Sequence, residues 1–329
     1  MTALAPTLQA FFTERLTAQL GASPHTIAAY RDTFRLLLAF STQRIGTKPS
    51  DLDLGDLDAG LIGEFLDHLE ADRLNSVTTR NNRLAAIHSL FSFAARRHPE
   101  HAATIARVLA IEPKRFQRNT VTYLDAAETD AVLAACDQTT WTGRRDHAMI
   151  LLAVQTGLRV SELIGLTGGD VTFGTGANVR CVGKGRRQRA TPLLELTEEV
   201  LAAWLAKRGG APGDPLFPTI TGRTLSRDAI EHRIAHYVTK AAASCPSLAT
   251  KHVTAHTLRH TAAMRLLLRG VDQTVIALWL GHAQVTSTDR YLHADMTQKE
   301  RALARTQPPG TRPGRYVPPD PLLAFLEAL

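Results

Sequence analysis

Apolar residues recur every three or four positions through the first third of the chain. Leu8, Phe11, Phe12, Leu16 and Leu20 mark one helical face. Ser23-Pro24 supplies an N-cap and an N1 proline for a second helix through HTIAAYRDTFRLLLAFSTQR. A third helix is expected over residues 57–69 and a fourth over 76–96, stopped at His98-Pro99. The fourth sets Leu84, Ile87, Leu90 and Phe91 beside Arg80, Arg83, Arg96 and Arg97. A polar, basic, proline-bearing stretch, EPKRFQRNT, then interrupts the pattern and reads as a linker at 113–121. It separates an all-helical unit at 1–112 from a second domain at 122–305.

In the second domain Thr122 or Asp125 can cap a helix holding Val132 and Leu133. Another runs over 141–155 and ends at Thr156-Gly157, where TGLRVSEL opens a helix with Arg159 and Glu162 three apart. From 178 to 194 the period falls to two: VRCV and QRATPL flank GKGRR, a hairpin with Lys184 near its tip. Helices return over 195–208 and 227–243, around a loop at 209–224. The domain closes with HTLRHTAAMRLLLRGVDQTVIALWLGHAQVTSTDRY, whose dense apolar runs at 262–268 and 275–280 predict a buried body. The fold class is mostly α with a small β-hairpin or sheet, a helical domain followed by an α+β domain. Residues 306–329 form a proline-rich tail ending in the apolar octet LLAFLEAL, able to fold back or to dock on a neighbouring subunit.

Composition narrows the function. The 329 residues exceed one ordinary core, and 44% hydrophobic content excludes extensive disorder. A net charge of +7, with Arg far outnumbering Lys, favours a polyanionic partner. Cys136, Cys181 and Cys245 are scattered without a CxxC, so neither a disulfide framework nor a zinc knuckle is expected. With no signal-peptide pattern and no long apolar run, the expected location is the cytoplasm, with the nucleoid.

The closing stretch carries candidate chemistry. His256 and Arg259 lie three apart, on one face of a helix that begins near Thr254, and helix starts favour phosphate. Arg159 and Arg259 can grip a phosphodiester by bidentate bonds and stabilise the charge that grows in an in-line displacement. Tyr291 is a candidate nucleophile, but a phenol with pKa about 10 is only about one part in a thousand ionised at neutral pH. His256 or His282 can supply the base or the positive field it needs, and Lys184 can protonate the departing sugar oxygen. Because a phosphotyrosine keeps the bond energy, rejoining needs neither ATP nor metal. GKG lacks the Walker pattern, and no carboxylate cluster suggests paired metals. His252, His256 and His260 mimic a metal face at four-residue spacing, yet Arg259 between the last two would repel a cation. No cofactor and no metal are expected, and His260 is read as structural. Arg80, Arg83, Lys114, Arg115, Arg186 and Arg187 are candidates for contact with the DNA backbone.

TGLRVSEL, VGKGRRQR, HTLRHTAA, LGHAQVTST and RYLH, in this order, resemble the tyrosine recombinase (phage integrase) family. The resemblance spans roughly 122–305, and the N-terminal helices look like that family's core-binding domain. It implies that Arg159 and Arg259 bind phosphate, that Glu162 supports them, and that Lys184 is the hairpin general acid. It makes His256 the general base/acid, His282 the second histidine and Tyr291 the nucleophile. It further implies a C-shaped clamp on a double-stranded recombination site, a tetramer on two sites, and cleavage through a 3′-phosphotyrosine. The segment 321–329 would pass to the next subunit. No arm-binding domain precedes residue 1, so a simple-site recombinase is expected, with integration, excision, transposition and chromosome dimer resolution all open as its role. Other recombinases or accessory proteins are possible partners. The competing readings are a non-cleaving DNA-binding accessory protein and a type IB topoisomerase-like enzyme without site choice.

Overall fold

The computed structural model describes residues 3–115, 121–183 and 188–281. The chain divides into two compact units, 1–118 and 119–329.

Unit 1 is helical. Helix α1 (Leu4–Ala10) continues as a π-helix over Phe11–Gln19. The wider winding shows in Thr17, whose hydroxyl donates to the carbonyl of Phe12, five residues back, at 2.8 Å. Helix α2 (Pro24–Ile45) starts as expected, with the Ser23 hydroxyl accepting from the Thr26 amide. Helices α3 (Ala59–Ala71) and α4 (Val77–Ala94) follow, capped by Asp58 and Ser76. Their core packs Phe11 against Phe34 and Phe93, with ring centroids 6.0 and 5.7 Å away.

A fifth helix, α5 (Ala102–Leu109), follows the His98-Pro99 stop and was not expected. It is only eight residues long, but Ile105, Val108 and Leu109 recur at helical spacing, so its signal is short rather than weak. The expected linker is also partly docked. Asn81 on α4 donates to the carbonyl of Lys114 at 2.8 Å and accepts from its amide at 3.1 Å. Residues 116–120 of that linker lie outside the described residues.

In unit 2, helices α6 (Ala126–Ala134), α7 (Trp141–Thr156) and α8 (Val160–Gly165) precede a three-stranded antiparallel sheet. Its strands are β1 (Val171–Thr172), β2 (Asn178–Val182) and β3 (Gln188–Pro192), ordered β1-β2-β3. β2 and β3 are the expected hairpin arms, with Cys181 opposite Arg189 and Val179 opposite Thr191. The two-residue β1 is too short to leave a period-two signal. Helices α9 (Glu195–Arg208), α10 (Arg227–Ala241), α11 (Ala255–Leu268) and α12 (Gln273–Leu280) complete the described part.

Helix α7 lies at the centre of this core, with Ala148, Met149, Ile150, Leu152 and Val154 all buried. It also buries Asp146, which accepts from Arg145, from Arg233 at 2.8 Å and from the Tyr237 hydroxyl at 2.9 Å. Two arginines and a phenol around one carboxylate satisfy it from within the fold. Helix α12 departs from expectation. Ile276, Ala277 and Leu280 are buried, but Val275 is 48% exposed and Leu278 78%. A helix apolar on all sides buries only the face that meets a neighbour, so the run 275–280 is not buried throughout. Among the described residues no helix is long and apolar enough to cross a membrane.

Candidate active site

Three chain segments converge in unit 2. The first is the turn after α7. Gly157 caps that helix in the left-handed region at φ +64°. A Cβ there would lie 2.5 Å from Leu280 Cδ2, so the closeness of α7 and α12 depends on a glycine. Two residues on, Arg159 is the N-cap of α8, and its amide donates to Glu162 Oε2 at 2.7 Å. Its side chain folds over the same carboxylate, Nη1 to Oε1 at 2.8 Å.

The second segment is the start of α11. The Thr254 hydroxyl accepts from the Thr257 amide, which fixes the first turn and sets His256 and Arg259 on one face. Arg259 is 3% exposed. Its Nη1 donates to the carbonyl of Gly157 at 2.5 Å and its Nη2 to that of Leu280 at 2.8 Å. His256 is exposed, and its ring packs edge-on against that of His260, centroids 4.1 Å apart. His260 is buried.

The third segment is the end of α12. Its last carbonyl and that of the left-handed Gly281 cap receive Arg259 and Arg159 respectively, the latter from Nη2 at 3.1 Å. Adjacent carbonyls at the negative end of a helix thus hold the two arginines side by side. Arginine side chains are thus joined to backbone carbonyls more than one hundred positions away, Arg259 to Gly157 and Arg159 to Gly281.

A third cation, Arg189 on β3, was not anticipated. It meets Glu162 with both terminal nitrogens, Nη1 to Oε1 and Nη2 to Oε2, each at 2.8 Å. The available signal was alternation: Arg189 is two residues from the buried Thr191 and opposite the buried Cys181, on the inward face of its strand. An arginine at a core-facing position requires a buried partner, which Glu162 supplies.

Electrostatics follow from this packing. Burial pushes the Glu162 carboxyl up, but the Arg189 guanidinium, the Arg159 amide and the Arg159 side chain outweigh it and hold the pKa at about 2. Burial pushes the Cys181 thiol up, so it adds no charge. Among the described residues three arginines (159, 189 and 259) and one carboxylate, Glu162, meet here, a predominantly cationic set. Such a preorganised cationic site, built on backbone anchors, can stabilise an anion that gains charge as it reacts. Among the described residues no group of His, Cys, Asp and Glu could hold a metal ion.

The other candidates fall elsewhere. Lys184, His282 and Tyr291 lie outside the described residues, as do Arg186, Arg187 and the tail. Arg80 is a correction. It is 5% exposed, with Nη1 on the carbonyl of Glu112 at 3.4 Å and Nε 3.8 Å from Glu70, so it fastens unit 1 internally rather than facing DNA. Arg83 is half-buried, and desolvation together with the charge of Arg73 lowers its pKa. Lys114 pairs with Glu70 at 2.5 Å and remains half exposed, and Arg115 is exposed.

The profile of the phage integrase family matches residues 122–298, and that of its N-terminal SAM-like domain matches residues 10–98. The chain belongs to the phage integrase family. It is 51% identical over 326 residues to y4rC of Sinorhizobium fredii, whose name offers it as an integrase/recombinase; the match covers 99% of this chain and 98% of that one. It is 34% identical over 301 residues to the tyrosine recombinase XerC of Rhodospirillum centenum, covering 91% and 86%. Among solved structures, XerH bound to a palindromic difH substrate shares the fold at a TM-score of 0.69 and 23% identity, covering 86% of this chain and 80% of that one. A lambda integrase dimer bound to a core site shares it at 0.65 and 18%, covering 89% and 77%. The phage integrase architecture, mostly helical with one small antiparallel sheet, is that of the tyrosine recombinases, the enzymes that break and rejoin DNA.

Proposed function

We propose that this chain is a site-specific tyrosine recombinase that cleaves and rejoins duplex DNA through a 3′-phosphotyrosine, without ATP, metal or cofactor. The observation that carries the reading is the arginine pair, with Arg159 and Arg259 anchored on adjacent carbonyls at the end of α12 and Glu162 beneath Arg159. In the sequence that anchor leads directly into His282, and Tyr291 follows nine residues later.

In the reaction the two arginines hold the non-bridging oxygens of the scissile phosphate. The Tyr291 phenol loses its proton to His256, and its oxygen attacks phosphorus in line. The bond to the 5′ oxygen breaks, and Lys184 donates the proton that makes the leaving group a hydroxyl. His282 contributes to binding the phosphate. The reverse reaction uses a 5′ hydroxyl from a second duplex, and the phosphotyrosine supplies the energy. The exposed Arg115, with Arg186 and Arg187, would track the DNA backbone, and tetramer assembly on two sites would involve exchange of the tail 321–329. The names of the relatives, tyrosine recombinase XerC among them, support this reading.

Covalent trapping on a nicked suicide duplex tests it. The wild-type chain should form a protein–DNA adduct, Tyr291→Phe should form none, and Arg159→Ala or Arg259→Ala should bind but lose about 100-fold or more in cleavage. An adduct with Tyr291→Phe would refute the nucleophile assignment. Relaxation of any supercoiled plasmid without sequence preference would turn the reading toward a topoisomerase.

A further inference from the structure

We propose that Arg189 is a positioning residue for DNA cleavage, clamping Glu162 from β3 while lying against Gly281, so that it joins β3 to the first and third segments of the site. This rests on the recombinase reading above. Its guanidinium engages both oxygens of Glu162 at 2.8 Å. A Cβ on Gly281 would sit 2.8 Å from Arg189 Nη1 and 3.2 Å from its Cδ, so the arginine runs along the residue that receives Arg159. In sequence Arg189 follows Lys184 by five residues, on the strand that leaves the turn. One side chain therefore couples the strand after Lys184, the acid under Arg159 and the α12 terminus.

Stability alone is a poor explanation for this arrangement. Arg189 Nε is buried and has no hydrogen-bond partner among the described residues. A buried ion pair with an unpaired donor is commonly no better than apolar residues of the same volume. What the pair does supply is direction. Of the four hydrogen bonds that Glu162 accepts here, two come from Arg189 and two from Arg159, one of the latter from its side chain. Glu162 kept ionised and square to Arg159 fixes the angle at which that arginine meets phosphate, and a displacement of about 1 Å costs roughly 100-fold in rate.

The surroundings of Glu162 define the test. Its own helix presents Arg159, β3 presents Arg189, β2 presents the neutral Cys181 thiol, and Arg259 stands close to that thiol on α11. On the other side of α8, Val160 and Leu163 face Ile230 and Ile234 of α10, which are apolar. Without Arg189, burial raises the Glu162 pKa against Arg159 alone. Single-turnover adduct formation on the nicked suicide duplex, measured from pH 5 to 8, should then show two effects in Arg189→Gln. The rate at pH 8 falls about 100-fold with DNA affinity within about threefold. The acid limb also moves to higher pH than in the wild type. Arg189→Gln/Glu162→Gln should lose that displacement, and Arg189→Lys should recover part of the rate. A wild-type rate in Arg189→Gln, or a loss that runs parallel to the wild type at every pH, overturns the positioning role. If Arg189→Gln fails to fold, the Arg189→Lys profile decides on the same criterion. Absence of an adduct with the wild-type chain overturns the recombinase reading itself, and the positioning role with it.

Discussion

Glu162→Gln gives a measurable account of how the site is held. The Glu162 side chain is 2% exposed, and its pKa falls from the ordinary 4.5 to about 2. A drop of roughly 2.5 units, at 1.36 kcal/mol each, makes the ionised form worth about 3 kcal/mol to unit 2 at neutral pH. Because the folded pKa is depressed, this stability is fully present above pH 4.5 and is lost as pH falls toward 2. At pH 3.5 nearly half of it is already gone. Glutamine does not titrate, so the gap between wild type and variant should be about 3 kcal/mol at pH 7 and near half that at pH 3.5. Trp141, Trp204 and Trp279 are the only tryptophans of the chain, and all lie in unit 2. Urea denaturation followed by tryptophan fluorescence therefore reports this unit within the whole protein. A variant as stable as the wild type at pH 7, or a gap that stays constant down to pH 3.5, would refute the charge-based account of Glu162.

Gly281→Ala should act on the same cluster from the backbone side. The residue sits at φ +63°, and the new Cβ would fall 2.8 Å from an Arg189 nitrogen that Glu162 holds in place. We expect a stability loss of about 1–2 kcal/mol from the left-handed conformation, read by the same denaturation, and a larger loss in adduct formation because Arg189 must shift. An unchanged cleavage rate would show that the Arg189–Gly281 contact carries no function. Removing residues 307–329 should weaken assembly on a site-bearing duplex while leaving the fluorescence-detected stability of unit 2 unchanged; unaltered assembly by light scattering would count against tail exchange.

Much of the fold was legible because its signals are local. Ser23, Ser76, Asp125 and Thr254 act as N-caps where their positions announce it, and the Gly157 and Gly281 caps close α7 and α12. The features that escaped are those whose signal is short or non-local. β1 has two residues in all, below what periodicity can register, and α5 is a helical pattern of only eight residues placed just after the His98-Pro99 stop. Arg80 shares a helix face with the buried Leu84 and Ile87, but the partners that let an arginine sit there are Glu70 on α3 and the carbonyl of Glu112, 32 residues away.

The site divides along the same line. Arg159, Glu162, His256 and Arg259 announce themselves as two i, i+3 pairs at helix starts, so each half is visible in a window of four residues. Their union is not, because it runs through the carbonyls of Gly157, Leu280 and Gly281, atoms every residue possesses and no sequence advertises. Arg189 belongs to that hidden class: its partner is 27 positions away, and only its place opposite Cys181 on an inward strand face marks it as unusual. A charge on the core side of a strand costs several kcal/mol unless it is matched, so an arginine at such a position points to a buried carboxylate somewhere else in the chain. Among the described residues that carboxylate is Glu162, which is also the one beneath Arg159. Residues read separately as a hairpin arm and a helix cap are therefore one electrostatic unit, and cleavage should be sensitive to β3 as well as to the residues that touch phosphate.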